Sequence, residues 1–285
     1  MQTFMKINVI LITYNHAHYI CQALESILMQ KLGYEVEIIV ADDCSTDNTV
    51  DIIKEYEDKT PFRFTFLHKE CNVGYNKNYR QAFAACTGDY VAIMEGDDYW
   101  LKSNHLQNHI DFLDRFPDSP MSYNRHLRLF EDQNREEIFD WNGAEDYERV
   151  TTEQLAMGNR IGNLSCCVFR GEHIRNLDPE LFDMEIADWM LGMYMGQFGP
   201  LLYLKDVTSA YRIHDNGQWS RMTEREQFIR IIELINLYDK YFNYRYTEFF
   251  TKHKRRLEIL LYGDKSLKGR IKSITPEFIR KRINK

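Results

Sequence analysis

The sequence lacks several features that would mark other classes of protein. No apolar run approaches the ~20 residues that a membrane-spanning helix needs. None of the six cysteines forms a Cys-x-x-Cys pair, and Cys166 and Cys167 are adjacent, so no zinc site or disulfide framework is indicated. There is no internal repeat and no linker rich in proline, glycine and serine. No signal peptide is visible either, so we expect reduced thiols and a cytoplasmic protein.

Positive charge is scarce outside the C-terminal end. The net charge at pH 7 is −7, which argues against a nucleic-acid-binding protein. Residues 252–285 are the exception, with 12 lysines and arginines against three acidic residues, so the remaining residues carry a net charge of −16. The length of 285 residues is enough to bury a substantial core.

Strand and helix patterns alternate over the first 116 residues. Apolar, β-branched runs, typical of strands buried on both faces, occur at 7–12, 34–41, 62–68 and 89–94. Helical spacing and capping residues occur at 18–30, 44–56, 74–86 and 103–116. This alternation predicts right-handed βαβ units and a mainly parallel sheet.

The pattern is weaker after residue 120. The segments there predict a strand, a loop that runs into a helix, one or two strands and an amphipathic helix, at 161–170, 181–199, 201–214 and 224–242 respectively. We therefore predict one domain over residues 1–242 and a basic, partly helical tail over residues 243–285.

Polar and acidic residues follow each predicted strand of the first part. They are Thr13-Tyr14-Asn15, Asp42-Asp43, the loop 70–78 and Glu95-Gly96-Asp97-Asp98. Because ligands of parallel sheets bind beyond the carboxyl ends of the strands, this edge is the predicted ligand site.

The carboxylates at 95–98 predict an open metal site. Clustered oxygen ligands suit Mg²⁺ or Mn²⁺, which are usually held by one or two carboxylates together with substrate phosphates. The alternative is a solvated acidic turn. For Asp43 two roles stay open, a hydrogen bond to a nucleotide base or stabilisation of a helix N-terminus.

Four segments together resemble the family 2 glycosyltransferases. They are VILITYNHAHYI, EIIVADDCSTDNT, NVGYNKN and GDYVAIMEGDDYW, and they span about residues 6–116 in the order and with the gaps that the family shows. The resemblance implies the GT-A fold, a Rossmann-like, mainly parallel sheet flanked by helices, here with a helical C-terminal extension. It also implies an inverting transfer from a nucleotide-sugar, most often a UDP-sugar, with Mn²⁺ or Mg²⁺ as cofactor.

The resemblance assigns the donor site to named residues of the first half, about residues 1–120. Ile12, Thr13 and Tyr14 would line the base and ribose, and Asp43 would accept the uracil N3–H. Lys77 and Asn78 match an Arg-Asn pair of the family. Asp97 would hold the metal. The family motif is usually Asp-x-Asp and here reads Glu95-Gly96-Asp97, so Glu95 is expected to act through water or a sugar hydroxyl.

The acceptor half, about residues 121–242, is marked by two further resemblances. MEIADWMLG matches the segment that supplies the catalytic base, which implies Asp188 as the general base. A role as helix N-cap is the alternative for Asp188, and Asp183 and Glu185 are rivals for the base. YRIHDNGQWS implies that His214 is a metal ligand or a diphosphate contact, against the alternative of a surface histidine.

Two other functions compete with a glycosyltransferase. A sugar nucleotidyltransferase on a related fold would carry a glycine-rich loop after the first strand, but TYNHAHYICQAL contains no glycine. A non-catalytic sugar-binding protein would tolerate loss of the acidic edge, which this chain keeps.

The expected partners are a nucleotide-sugar donor and a glycan or lipid-linked acceptor, in assembly of a bacterial surface polysaccharide. Apolar residues interspersed in the basic tail suit peripheral contact with the inner face of the plasma membrane. The alternative for the tail is a solvated helix that packs its apolar side on the domain.

Overall fold

The structure is a computed structural model that describes residues 5–141, 146–185, 187–215, 217 and 219–263. Within these residues ten strands form one sheet flanked by helices. The strands are β1 (Lys6–Thr13), β2 (Glu35–Asp42), β3 (Arg63–Phe66), β4 (Tyr90–Glu95), β5 (Tyr99–Trp100), β6 (Met121–Phe130), β7 (Arg135–Phe139), β8 (Tyr147–Val150), β9 (Cys167–Arg170) and β10 (Leu201–Ile213). The helices are α1 (Ile20–Leu28), α2 (Thr49–Glu57), α3 (Tyr75–Ala84), α4 (His105–Arg115), α5 (Thr152–Ala156), α6 (Gly171–Arg175), α7 (Asp188–Met195), α8 (Glu224–Tyr241) and α9 (Thr247–Tyr262).

The strand order is β3-β2-β1-β4-β9-β6-β10-β5, with β7 paired to β6 and β8 paired to β10. Strands β3, β2, β1 and β4 are parallel, and β6 and β10 are parallel to each other. Strand β9 is antiparallel to both β4 and β6. Two reversals restore the original direction, so β6 and β10 run the same way as β4, and their carboxyl ends lie at the same edge of the sheet.

The core is built from the apolar runs that predict the strands. Alternate residues of β1, including Ile7, Val9 and Leu11, are buried in one hydrophobic cluster with Ala92 and Met94 of β4. Burial of such side chains stabilises the fold by about 25 cal/mol per Å² of apolar surface. The buried sheet thereby fixes the loops at its carboxyl edge.

The α/β sheet flanked by helices, with further helices at the C-terminal end, confirms the predicted fold class, although β5, β7, β8 and β9 pair antiparallel and make the sheet mixed. One predicted strand, 161–170, is wrong over most of its length, because only Cys167–Arg170 is a strand. The preceding residues form a loop in which Asn163 and Ser165 donate hydrogen bonds from their side chains to Asp98. Strands β6 to β8 follow from no pattern noted in the sequence.

The chain divides into two compact units. The first comprises Met1–Leu155 and Asn159–Asp215, and the second comprises Ala156–Gly158 and Asn216–Lys285. The units therefore divide before α8, whereas the sequence analysis draws its boundary at residue 242. In the second unit Thr223 and Glu226 form a capping box at the start of α8. No helix among the described residues is long and apolar enough to cross a membrane.

Candidate active site

The candidate site lies at the carboxyl edge of the sheet in the first unit. Strand β4 ends at Glu95 and β10 ends at Ile213, so the loop 96–98 and His214 follow two strands that point the same way. The backbone N–H of Gly96 donates to the carbonyl of Ile12 on β1 (2.8 Å). This bond ties the acidic loop to the neighbouring strand.

Asp97 faces two histidines. Its Oδ2 lies 3.1 Å from His214 Nε2 and 3.8 Å from His16 Nε2. Burial raises the pKa of Asp97, but the hydrogen bond from His214 and the charges of both histidines outweigh it, so the pKa is lowered. The hydrogen bond to Asp97 raises the pKa of His214. Asp97 is therefore the ionised carboxylate of the acidic loop.

Asp98 is buried and fully engaged by protein donors. Its Oδ2 accepts from Asn163 Nδ2 (2.8 Å) and Ser165 Oγ (2.7 Å), and its Oδ1 accepts from the backbone N–H of Arg212 (2.9 Å). Burial, with the charge of Asp97, raises the pKa of Asp98 to about 7 against these hydrogen bonds. Asp98 thus holds the loop in place and faces no open site.

Glu95 lies between the other carboxylates. Its Oε1 accepts from Tyr79 Oη (3.0 Å) and its Oε2 accepts from Asn163 Nδ2 (3.3 Å). Burial and the charges of Asp98 and Asp97 raise the pKa of Glu95 well above its ordinary value. These contacts favour a neutral, hydrogen-bonding Glu95 over a direct metal ligand.

Gly96 permits the close approach of β1 to the acidic loop. A Cβ at this position would lie 2.8 Å from His16 Nδ1 and 3.0 Å from Thr13 Oγ1. Those two atoms are buried and have no hydrogen-bond partner among the described residues. Buried polar atoms without a partner are rare in folded proteins, and here they lie beside Asp97.

Asp188 is the first residue of α7, and the N-cap position belongs to Ala187. Asp188 Oδ2 accepts from Asn159 Nδ2 (2.8 Å), which fixes one oxygen of the carboxylate. Burial raises the pKa of Asp188, opposed by Asn159 and by the backbone N–H groups of Trp189 and Gly162. The charge of Asp188 also raises the pKa of Glu95.

The rivals of Asp188 have different surroundings. Asp183 ends a short 3₁₀ helix, Pro179–Asp183, and is exposed. Glu185 is half-buried in the loop before α7. Asp188 is half-buried like Glu185, but its carboxylate is also fixed by the hydrogen bond from Asn159, and burial raises its pKa.

Asp43 is buried and holds the loop before α3. Its Oδ1 accepts from the backbone N–H of Val73 (2.8 Å) and its Oδ2 from that of Gly74 (2.9 Å). Lys69 lies beside it and donates from Nζ to the carbonyl of Asp42 (2.6 Å). Stabilisation of the N-terminus of the following helix, α2, which is the alternative role of Asp43, is therefore not observed. Recognition of a base by Asp43 stays a prediction.

The other predicted donor residues have different degrees of exposure. Ile12 and Thr13 are buried at the end of β1, whereas Tyr14 is 43% exposed. Lys77 is exposed on α3. Asn78 is buried and its side chain donates to the carbonyl of Ala41 (2.8 Å), near the end of β2. Their contacts with a donor stay predictions.

Arg212 is a site residue that the sequence analysis does not identify. Its Nη1 donates to the carbonyl of Asp97 (3.0 Å), and its Nε lies 3.0 Å from Glu131 Oε1. Its guanidinium carbon lies 5.0 Å from the ring centre of Tyr19. The one available signal is its position two residues before His214, a spacing that places two side chains on the same side of an extended chain.

Two tryptophans of the first unit have structural roles. Trp100 and Trp189 are buried and donate from Nε1 to the carbonyls of Ser165 and Leu155, both at 2.8 Å. A buried indole that is bonded in this way has no free face for a sugar ring.

The donor groups around Asp97 suit a divalent cation that substrate oxygens complete. The described residues contain no group of three or more His, Cys, Asp or Glu side chains arranged to hold a metal by themselves. Asp97 and His214 offer one carboxylate and one imidazole, and Mn²⁺ or Mg²⁺ commonly takes its remaining ligands from phosphates and water.

The chain belongs to the glycosyl transferase family 2, whose model matches residues 8–169. It is 29% identical over 225 residues to an uncharacterized protein of Mycobacterium tuberculosis H37Rv, covering 78% of this chain and 63% of that protein. It is 33% identical over 111 residues to the poly(ribitol-phosphate) beta-N-acetylglucosaminyltransferase TarS of Staphylococcus aureus Mu50, covering 39% of this chain and 19% of TarS. The chain thus spans less than two thirds of these relatives.

Solved structures show the same fold over nearly the whole chain. S. aureus TarS 1–349 in complex with UDP superposes with a TM-score of 0.61 at 18% identity, covering 98% of this chain and 78% of that one. The mannosyltransferase PcManGT of Pyrobaculum calidifontis, in complex with GDP-Man and Mn²⁺, gives 0.59 at 16% identity, covering 99% and 84%. At these identities the likeness establishes the GT-A fold.

Proposed function

We propose that this chain is a metal-dependent glycosyltransferase that moves a sugar from a nucleoside diphosphate sugar to an acceptor hydroxyl with inversion. The observation that carries the proposal is the contact of ionised Asp97 with His214 at the carboxyl edge of the sheet, together with the half-buried carboxylate of Asp188 that Asn159 holds. The pair Asp97 and His214 suits the leaving diphosphate, and Asp188 suits the attacking hydroxyl. Family membership supports the reaction class.

Asp188 acts as the general base of this reaction. It takes the proton of the acceptor hydroxyl as that oxygen attacks the anomeric carbon. The bond from this carbon to the diphosphate oxygen breaks, and the nucleoside diphosphate leaves with the electron pair. A single displacement of this kind inverts the anomeric centre. Asn159 orients the carboxylate, and burial raises its pKa, which strengthens it as a base.

Asp97 and His214 would hold the divalent cation, Mn²⁺ or Mg²⁺, which takes up charge on the departing diphosphate when bound. Glu95 donates or accepts a hydrogen bond at a sugar hydroxyl, directly or through water. Arg212 keeps Asp97 in position through the Asp97 carbonyl.

UDP is the proposed nucleotide. Support comes from the structures of TarS with UDP and with UDP-GlcNAc. The fold alone does not decide the base, because the neighbour PcManGT is solved with GDP-Man. Asp43 is the group proposed to accept the uracil N3–H, with the loop 73–74 holding it in place. Ile12, Thr13, Tyr14, Lys77 and Asn78 complete the proposed donor pocket.

The proposed acceptor is a glycan or lipid-linked glycan of a bacterial surface polysaccharide, and the proposed location is the cytoplasm. The similarity to TarS, a poly(ribitol-phosphate) beta-N-acetylglucosaminyltransferase, supports the acceptor class. Peripheral membrane contact through the basic tail belongs to the same proposal. The described part of the tail includes α9, where Leu260 is 66% exposed, and residues 264–285 lie outside the described residues. Failure of the whole chain to bind anionic vesicles at low salt would remove the membrane contact.

The reaction is tested by incubating the protein with UDP-sugars and Mn²⁺, with and without glycan acceptors, and measuring UDP release. A glycosyltransferase releases UDP, and EDTA stops the release. Pyrophosphate instead of UDP would indicate a nucleotidyltransferase, and binding without either product would indicate a sugar-binding protein. The anomeric configuration of the product, read by NMR, tests inversion.

A further inference from the structure

Arg128 on β6 is a half-buried cation whose charge acts on the proposed base. It pairs in register with Tyr211 of β10. Burial raises the pKa of Tyr211, and the charges of four carboxyls, Asp98, Glu95, Asp97 and Asp188, raise it further. Tyr211 is therefore surrounded by the acidic groups of the site, and Arg128 is its neighbour on the adjacent strand.

A continuous set of contacts joins Arg128 to Asp188. The Arg128 guanidinium carbon lies 3.7 Å from the centre of the Phe139 ring. That ring packs on Gly162, where an added Cβ would lie 2.8 Å from Phe139 Cε1. The backbone N–H of Gly162 is one of the groups that stabilise the Asp188 carboxylate, and the positive charge of Arg128 is another.

The guanidinium of Arg128 has hydrogen-bond donors that are not all paired within the described residues. Its ion pair with Glu137 is 3.6 Å long, while Glu137 lies 2.5 Å from Arg135. The Nε of Arg128 is buried with no hydrogen-bond partner among the described residues. A guanidinium offers five donors in a planar fork that matches a carboxylate or phosphate group.

We infer that Arg128 binds a phosphate or carboxylate group of the acceptor, so that the acceptor is an anionic glycan or polyol phosphate. The inference rests on the proposed function, because it takes Asp188 as the base that the acceptor hydroxyl must reach. Groups next to that hydroxyl then come under the positive charge of Arg128, which already acts on Asp188. An anion brought close to the carboxylates of Asp97 and Asp188 needs such a cation to offset their repulsion.

Non-specific attraction of polyanions to the basic tail, residues 252–285, is common to wild type and to single variants elsewhere, so the comparison of matched variants isolates Arg128. A matched control is available on the same strand. Arg125 is similarly exposed, 21% against 25% for Arg128, and is paired with Asp140 at 3.1 Å. It lies three residues away along β6, an odd spacing that places the two side chains on opposite faces.

The experiment measures polymer binding by calorimetry with the full chain, in the presence of UDP and Mn²⁺ and in their absence. The three probes are poly(ribitol phosphate), polygalacturonate and the neutral polymer dextran. We expect one anionic polymer to bind at least about tenfold more tightly than dextran, and its identity distinguishes phosphate from carboxylate. R128Q should lose about tenfold or more of that affinity, R128K should recover part of it, and R125Q should behave as wild type.

Three results would overturn the inference. The first is equal affinity for dextran and both polyanions, or no binding of any of the three. The second is a loss of polyanion affinity in R125Q equal to that in R128Q. The third is an R128Q variant whose rate of UDP-sugar hydrolysis falls as much as its rate of transfer to the polymer. The last result would make Arg128 a positioning residue for Asp188. Failure of wild type to bind UDP or to hydrolyse UDP-sugars would instead contradict the proposed function. Polymer binding measured without nucleotide tests Arg128 separately from that function.

Discussion

Asp98 accepts hydrogen bonds from Asn163, Ser165 and the Arg212 backbone, whereas Asp97, one residue earlier, contacts His214. Adjacent carboxylates therefore carry different charge at neutral pH, since the pKa of Asp98 is raised to about 7 and that of Asp97 is lowered. The acidic triplet in the sequence does not act as one cluster. Its mutual repulsion is relieved by surrounding each carboxyl with its own donors.

At the residue scale, Asp188→Asn is expected to lower transfer by roughly 10²–10⁴-fold, the usual contribution of a general base. UDP affinity in Mn²⁺ should change little, because Asp188 acts on the acceptor. Turnover and UDP titration by calorimetry measure the two effects. Asp183→Asn, at an exposed carboxylate near by, is the control and should retain wild-type turnover. Near wild-type transfer by Asp188→Asn would move the base to Glu185 or Asp183.

Replacement of Arg212 by lysine should weaken Mn²⁺-dependent UDP binding by roughly 10–100-fold, the range seen when a residue that supports a metal ligand is lost. The guanidinium contacts the Asp97 carbonyl and Glu131 together, and an ammonium cannot keep both bonds. The Mn²⁺ concentration that gives half-maximal UDP binding is the measurement. Arg170→Lys is the control, since Arg170 donates to the carbonyl of Ser119 away from the site. Equal shifts in both variants would mean a general loss of stability.

At the scale of elements, the first half follows closely from the sequence. Strands β1, β2 and β4 are apolar, buried on both faces and bounded by polar residues, so their positions are legible in a single chain. The same pattern places Asp97 at the ligand edge. Strand β6, by contrast, is continuously buried only over its first four residues and carries Arg125, His126 and Arg128, so its sequence does not read as a core strand.

The supports of the site could not be predicted either. Asn163 and Ser165 lie in a loop that the apolar pattern of residues 161–170 presents as a strand. Their importance arises from hydrogen bonds to Asp98 across 65 and 67 residues of sequence. Pairing at such separation depends on the completed topology, so local residue patterns contain little information about it.

Gly96→Ala tests how closely β1 and the acidic loop approach each other. The added methyl would meet His16 and Thr13 at 2.8 and 3.0 Å, so the loop must shift. We expect a loss of about 1–3 kcal/mol in the free energy of unfolding and weaker Mn²⁺-dependent UDP binding. Denaturant unfolding and UDP titration measure these. Gly33→Ala, with no atom within 4 Å of the added Cβ, should change neither; normal UDP binding by Gly96→Ala would show that the loop is not constrained there.

At the scale of the whole molecule, buried histidines make stability depend on pH. Burial lowers the pKa of His109 to about 4 and that of His126 to about 3. A neutral histidine of this kind contributes stability above the unfolded pKa of about 6.5, and the contribution is lost as pH falls toward the folded pKa. The raised pKa values of Glu95, Asp98 and Asp188 act in the opposite direction, so wild-type stability alone does not isolate the effect.

The variant His109→Gln isolates the contribution of His109, read as the difference in stability between variant and wild type. Relative to wild type, the variant should gain about 2 kcal/mol in the free energy of unfolding between pH 7.5 and pH 5, since wild type loses the His109 contribution over that range. Denaturant unfolding at both pH values gives the difference. His18→Gln, at an exposed histidine, is the comparison for loss of an imidazole from the surface. A His109→Gln difference that does not vary with pH would show that His109 titrates normally.

The hydrogen bonds that hold the acidic loop also determine when the site can form during synthesis. Asp98 is hydrogen-bonded to Arg212, which lies 114 residues later in the sequence, and Asp97 is hydrogen-bonded to His214, which lies 117 residues later. At ~5–20 residues per second, a ribosome needs several more seconds to deliver those partners after the loop has emerged. Until then the carboxylates lack their donors, and such distant contacts form slowly because closing the intervening chain is entropically unfavourable. A nascent chain therefore contains all four family segments well before it can have a working site.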